Sequence, residues 1–227
     1  MIITKNQIDK LTNTTGFIAL EGVNGAGKSS LLDSIAEFLK NNNSDFILTK
    51  EPGGSPTIGA EVRKLLLNNK ESLSELGELL LFAADRAEHV EQVIKPALAK
   101  QKIVLTDRYY YSTLAFQGYG RGLNLDHIQT LNELATQGVK PDLILLLDLD
   151  PAVGLRRNQS AEKSRDSFEE ETIEFHQKIR NGFLEVAKNS PENFIIISAE
   201  QEQEAVKAEA IEIMNLYINK HNANHRP

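Results

Sequence analysis

A chain of 227 residues is long enough to bury one α/β core, and no stretch of it resembles a linker between two cores. Its 32 acidic residues against 25 basic ones leave a net charge of −7, which argues against a broad nucleic-acid or anionic-membrane surface and makes any phosphate binding local. Without cysteine there is no disulfide framework, thiolate metal site or cysteine nucleophile.

Residues 1–16 mix Lys5, Asn6, Asp9 and Lys10 and lack the apolar centre of a signal peptide, and no apolar run approaches 18 residues, so a cytosolic protein is expected. Five apolar runs, 17–20, 46–49, 103–106, 143–149 and 194–198, are each followed by a helical pattern, which predicts a five-stranded parallel sheet covered by helices on both faces. The runs at 103–106 and 143–149 lack polar alternation and are expected to be central strands. Ligands gather beyond the carboxyl ends of such strands, so the residues just after each run carry most of the functional interest.

After the first run comes Gly22-Val23-Asn24-Gly25-Ala26-Gly27-Lys28-Ser29-Ser30, with Leu31, Leu32, Ile35 and Leu39 following at helical spacing. Glycine, four residues, then Gly-Lys-Ser on a strand-to-helix turn is a phosphate-binding loop. Backbone N–H groups close around an anion there, Lys28 reaches the outer phosphates of a nucleoside triphosphate, and the Ser29 hydroxyl is a candidate Mg²⁺ ligand. GTPases, motor ATPases and small-molecule kinases all use this motif, so the reaction rests on the remainder.

After the second run, Glu51-Pro52-Gly53-Gly54 has the composition of a tight bend beside a ligand. Arg63 lies on a helical stretch 62–66 and, read by itself, belongs to a solvated charged face. Phe82 and Arg86, four apart on one helix face, pair a ring with a cation, which suits a planar anionic substrate, although Phe82 at that spacing also suits a core position. Asp107-Arg108 follows the third run. The carboxylate is a candidate for the Mg²⁺ shell and the guanidinium for an acceptor phosphate. Thr113 and Gln117, again four apart, can present a hydroxyl and an amide to a base edge. Residues 154–170 are polar and basic and are read as a short mobile lid. Helices are expected over 172–187 and 203–219, with residues 222–227 frayed.

These pieces in order resemble the bacterial thymidylate kinase family over nearly the whole chain. The resemblance rests on the phosphate loop, Thr49-Lys50-Glu51-Pro52-Gly53-Gly54, Leu81-Phe82-Ala83-Ala84-Asp85-Arg86, Asp107-Arg108-Tyr109 and the stretch Ser112 to Gly122, and it runs through Asp148 to Glu174-Phe175-His176. It implies a three-layer α/β/α P-loop kinase fold with a short lid, a homodimer, and transfer of the γ-phosphoryl group of ATP to dTMP with Mg²⁺. By the same resemblance Phe82 stacks on thymine, with Arg86, Thr113 and Gln117 as its polar contacts. Arg63 and Arg108 clamp the dTMP phosphate, Glu51 lies near acceptor and metal, and Arg165 closes from the lid, with Arg156 and Arg157 as alternates. Two positions depart from the family pattern: Asn24 stands where many relatives carry an acid, and the lid reads Arg165-Asp166-Ser167-Phe168-Glu169 where Asp-Arg commonly precedes the apolar residue. Another P-loop nucleoside or nucleotide kinase is the nearest rival, and a P-loop ATPase or GTPase switch the rival from another class.

Overall fold

The computed structural model describes residues 2–12, 14–68, 73–159 and 167–224. Five parallel strands, β1 (Phe17–Gly22), β2 (Phe46–Lys50), β3 (Ile103–Asp107), β4 (Leu143–Asp148) and β5 (Phe194–Ser198), lie in the order β2-β3-β1-β4-β5. Burial follows that order. Every residue of β1 is buried, as are the first four of β3 and the first five of β4, whereas β2 at one edge alternates with solvent. The unbroken apolar runs thus occupy the middle, where both faces are covered.

Helix α1 (Lys28–Asn41) buries Leu31, Leu32, Ile35 and Leu39, the stripe its sequence spacing predicts, and packs on β1 and β3. Beside it runs α9 (Gln203–Asn224), which also covers β5. Helix α2 (Gly59–Leu67) packs on α3 (Glu75–His89), whose N-cap is Ser74, the Gly77 N–H donating to its hydroxyl at 3.2 Å. A π-helical turn, Val90–Ile94, carries α3 into α4 (Lys95–Ala99). After β3 come α5 (Tyr110–Thr113), a π-helical segment Leu114–Gly120 and α6 (Leu125–Thr136). After β4 come α7 (Pro151–Gln159) and α8 (Ile173–Asn189), and α8 lies along the π-helical segment.

β3 sits between β1 and β2, so the chain leaves β1, returns beside it as β3 and crosses to its other side as β4. The C-terminal ends of β1 and β3 are therefore neighbours, with Leu20 in register with Asp107 and the Arg108 N–H donating to the Leu20 carbonyl at 2.9 Å. That places the phosphate loop and Asp107-Arg108 at the crevice where open α/β sheets bind ligands.

Candidate active site

The loop from Gly22 to Ser29 turns through positive φ at Gly22 (139°), Gly25 (78°) and Gly27 (93°). Gly27 is the N-cap of α1 and offers no side chain, so the first-turn N–H groups face the loop's hollow. Lys28, almost buried, folds over the loop and donates from Nζ to the carbonyls of Gly22 (3.1 Å) and Val23 (3.0 Å). A cavity opens above, lined by Asn24, Gly25, Gly27, Lys28, Ser29 and Ser30 together with Arg63, Lys64, Asp107, Arg108, Asn158 and Glu169. Val23 and Ala26 are buried beneath it, so they belong to the loop as packing.

A second cavity adjoins the first. Its walls are Lys50, Glu51, Pro52, Phe82, Arg86, Tyr109, Ser112, Thr113, Phe116, Gln117 and Phe168, and it shares Asn24, Arg63, Leu67, Asp107 and Arg108 with the phosphate cavity. Every acceptor residue expected from sequence, namely Glu51, Arg63, Phe82, Arg86, Arg108, Thr113 and Gln117, lines this one space although they come from six different segments.

Arg108 lies across the shared wall with a backbone φ of 70°, in the left-handed region. Its Nη1 donates to the Gly22 carbonyl (2.9 Å) and the Ser112 hydroxyl (3.0 Å), and its Nη2 to Asn24 Oδ1 (2.6 Å), while the guanidinium lies 5.0 Å from the Phe116 ring centre. Behind it sits Glu21, wholly buried. Its carboxylate accepts from the Tyr109 N–H (2.9 Å), the Ser112 N–H (3.2 Å) and the Ser112 hydroxyl (2.6 Å). Burial pushes the Glu21 carboxyl up to about 7, against the opposing pull of Arg108, these hydrogen bonds and Lys28. Arg63 donates to the Pro52 carbonyl at 2.8 Å and reaches both cavities from α2.

Asp107 Oδ1 is a buried oxygen without a hydrogen-bond partner among the described residues, and it stands in the wall common to both cavities. A buried acceptor left open is what a hard cation would use. No cluster of three or more His, Cys, Asp or Glu side chains with metal-binding geometry occurs among the described residues. A Mg²⁺ ion here would rely on one or two protein oxygens plus phosphates and water, its usual mode with nucleotides. Glu51 is placed differently from its expected metal role. Its carboxylate accepts from Arg86 Nε (2.8 Å) and pairs with His89 Nδ1 (2.9 Å), so both oxygens are engaged and the residue anchors Arg86. His89 is itself held by Thr49 at 2.6 Å, and Arg86 Nη1 donates to Asn132 Oδ1 at 2.9 Å.

At the far end Thr113 Oγ1 is buried and unpartnered among the described residues, and Gln117 Nε2 donates to Glu78 Oε1 at 2.8 Å. Phe82 is half-buried and faces Phe168 at 6.1 Å between ring centres, with Phe168 edge-on to Phe116 at 5.6 Å.

The lid needs correction. Residues 154–159 belong to α7, because Pro151 is tolerated in a first helical turn and Asp150 Oδ1 accepts the Ala152 N–H at 2.8 Å. Phe168, read as part of a polar connection, is buried against the acceptor cavity, where Arg121 lies 5.6 Å from its ring centre. Arg165 lies outside the described residues. Arg157 Nη1 donates to the Ala199 carbonyl at 3.2 Å, and Arg156 lines a hollow with Asp150 and Glu200; neither borders the two joined cavities. Glu21, Glu78, His89, Asn132 and Phe168 were missed from sequence. A charged residue between an apolar run and the phosphate loop was the available signal for Glu21, and a lone aromatic amid charges for Phe168; the others sit on ordinary helical faces.

A phosphate loop that shares one wall with a second, arginine-lined space serves direct transfer between two bound anions, and the fold and site define a P-loop nucleotide kinase. Known proteins agree. A family model described as thymidylate kinase matches residues 20–210. The thymidylate kinase of Desulfovibrio desulfuricans is 42% identical over 213 residues, covering 90% of this chain and 97% of that one, and that of Trichormus variabilis is 43% identical over 204 residues, covering 89% and 96%. The crystal structure of thymidylate kinase from Ehrlichia chaffeensis superposes with a TM-score of 0.72 at 34% identity, covering 87% of this chain and 97% of that one. The chain belongs to the thymidylate kinase family.

Proposed function

We infer that this protein transfers the γ-phosphoryl group of ATP to dTMP, giving dTDP and ADP, as a step in supplying dTTP. The observation that carries the reading is the shared wall: Asn24, Arg63, Asp107 and Arg108 border both the phosphate-loop cavity and the cavity that holds Phe82, Arg86, Thr113 and Gln117. ATP phosphates would occupy the loop, with Lys28 leaving the Gly22 and Val23 carbonyls for the outer phosphates. The dTMP phosphate would meet Arg63 and Arg108, and its base the far end. Both substrates are polyanions, so charge compensation and alignment of the acceptor oxygen with the γ-phosphorus supply most of the catalysis, and no protein nucleophile is required.

Asp107 and Ser29 are the residues that would hold Mg²⁺, which when bound offsets charge on the triphosphate. Asn24, tied to Arg108, contributes a neutral amide beside the acceptor sugar. A lid arginine, with Arg165 as the first candidate, would close over the transferring group, and closure would limit ATP hydrolysis. We also read the chain as one kinase unit that forms a homodimer and acts in the cytosol. Leu76 and Leu80 on α3 are 58% and 47% exposed, and Leu134 on the neighbouring α6 is 70% exposed, which supports an interface there; sedimentation of the purified protein tests it. No helix among the described residues is long and apolar enough to cross a membrane.

The test of the function is ADP formation from ATP and Mg²⁺ with each nucleoside monophosphate, and with thymidine, as acceptor. Turnover with dTMP and little with the others is expected. Phosphorylation of thymidine without dTMP activity would move the protein to the nucleoside kinases, and acceptor-independent hydrolysis to the ATPases.

A further inference from the structure

Glu78, in the first turn of α3, is buried and takes no part in the scheme above. Its Oε1 accepts from Gln117 Nε2 at 2.8 Å, and it pairs with Arg121, Nη2 to Oε2 at 3.2 Å and Nε to Oε1 at 3.4 Å. Arg121 is tied in turn to Glu171 of the segment that precedes α8. We propose that Glu78 is a positioning residue for base selection: it fixes which end of the Gln117 amide faces the acceptor, and so makes the site prefer a pyrimidine with N–H at ring position 3. The proposal rests on the dTMP kinase reading.

An amide side chain is a donor at one end and an acceptor at the other, and by itself it rotates to suit either partner. A carboxylate only accepts. Facing Glu78, the Gln117 amide must turn its NH₂ toward the carboxylate, because the reverse sets the carbonyl oxygen against another acceptor in a buried place. The oxygen is then what remains for a ligand, and Gln117 Oε1 accepts no hydrogen bond among the described residues. Arg86 is fixed likewise. Its Nε is taken by Glu51 and its Nη1 by Asn132, which leaves Nη2 as a donor that cannot be exchanged for an acceptor.

Both residues line the acceptor cavity, so the base meets one fixed acceptor and one fixed donor. The thymine edge offers N3–H and a carbonyl oxygen, a match at both. The cytosine edge offers a bare N3 and an amino group, which sets acceptor against acceptor and donor against donor. The first mismatch disappears if the Gln117 amide is free to flip, and Glu78 prevents that.

The experiment measures kcat and KM with dTMP and with dCMP, and KM for ATP, in the wild type, in Glu78→Gln and in the double variant Glu78→Gln with Gln117→Glu. Arg121 keeps Glu171 and takes the one oxygen of a glutamine at 78, so the NH₂ at 78 faces Gln117 and the Gln117 amide no longer has to turn its oxygen to the base. Glu78→Gln should raise the dTMP KM roughly tenfold, the scale of one buried hydrogen bond, and lower the dTMP-to-dCMP ratio of kcat/KM by about as much with the ATP KM held. The double variant restores a fixed acceptor oxygen at 117, because the amide now sits at 78, and should recover the ratio. An unchanged ratio in a folded Glu78→Gln, a proportional loss with all three substrates, or a double variant no better than the single would each overturn the proposal. If Glu78→Gln does not fold, Glu78→Asp keeps the charge near Arg121 and withdraws it from Gln117; a fall in selectivity supports the proposal and an unchanged ratio overturns it. A wild type that does not use dTMP overturns both readings, whereas a selective wild type and an equally selective Glu78 variant overturn this one alone.

Discussion

Gly25 of the phosphate loop and Gly154 of α7 meet backbone to backbone. A Cβ on Gly25 would lie 2.1 Å from the Gly154 carbonyl oxygen, and one on Gly154 would lie 2.3 Å from the Asn24 carbonyl oxygen. Neither partner is the end of a flexible side chain, so neither can step aside. The loop's shape is therefore set partly by a helix that lies more than a hundred residues further along the chain.

Gly154→Ala should consequently damage the nucleotide site from outside it. The added methyl pushes on the Asn24 carbonyl, displacing the N–H groups that face ATP and the Asn24 amide that Arg108 grips. We expect the ATP KM to rise roughly tenfold or more with a lower melting temperature, as a small-to-large change in a tight contact costs about 1–3 kcal/mol. Steady-state kinetics with ATP varied at saturating dTMP checks it, and an unaltered ATP KM would mean that the contact yields without strain.

Arg108→Ala removes the group that joins the two cavities. Among the described residues its guanidinium touches the loop through the Gly22 carbonyl and Asn24, and it and Arg63 are the arginines of the shared wall. The variant should lose on the order of 10²-fold or more in kcat/KM for dTMP, the usual cost of a transition-state charge partner. Binding of a non-hydrolysable ATP analogue, followed by calorimetry, should change little. Equal losses for both ligands would reassign Arg108 to the loop.

Phe82→Ala tests stacking against packing. Phe82 is only half-buried and stands at the cavity wall opposite Phe168, so its loss should weaken dTMP by about 1–3 kcal/mol, the scale of base stacking on an aromatic ring. Isothermal titration with dTMP reads this directly. Unchanged affinity with a large fall in melting temperature would return Phe82 to the core.

Glu21 makes stability depend on pH in a stated direction. Its carboxyl rises from an ordinary value of 4.5 to about 7 in the folded protein, so the folded state holds its proton more tightly. The contribution to stability is complete below about pH 4.5 and is lost as pH rises through about 7. Glu21→Gln, which cannot ionise and still accepts from Tyr109 and Ser112, should flatten the pH dependence of the melting temperature across that window. A wild type and a variant with parallel profiles would place the titration elsewhere.

Much of this molecule was legible in the chain before folding. The Gly-x₄-Gly-Lys-Ser spacing, the five apolar runs and the polar residues after them are local properties, and backbone chemistry turns each into the same element in almost any α/β context. The stripe of Leu31, Leu32, Ile35 and Leu39 faced the core as its period required, and 103–106 and 143–149 proved to be inner strands because an unbroken apolar run has no face to give to water. The residues expected at the acceptor came from comparing the run of motifs with a family, and the fold brings them to one cavity.

Tertiary packing alone decided what those side chains do when they arrive. Glu51 was a metal candidate by family resemblance, yet Arg86 and His89 occupy its oxygens, while Asp107 keeps one oxygen open. Gln117 was an amide of either sense until Glu78, 39 positions earlier, took its nitrogen. Residues 154–170 were read as one polar lid from their charges, yet 154–159 continue a helix and the Phe168 ring packs between Phe82 and Phe116. Strand and helix formation depends on neighbours along the chain, whereas burial, hydrogen-bond direction and close backbone approach depend on residues far apart in it, which no local pattern records.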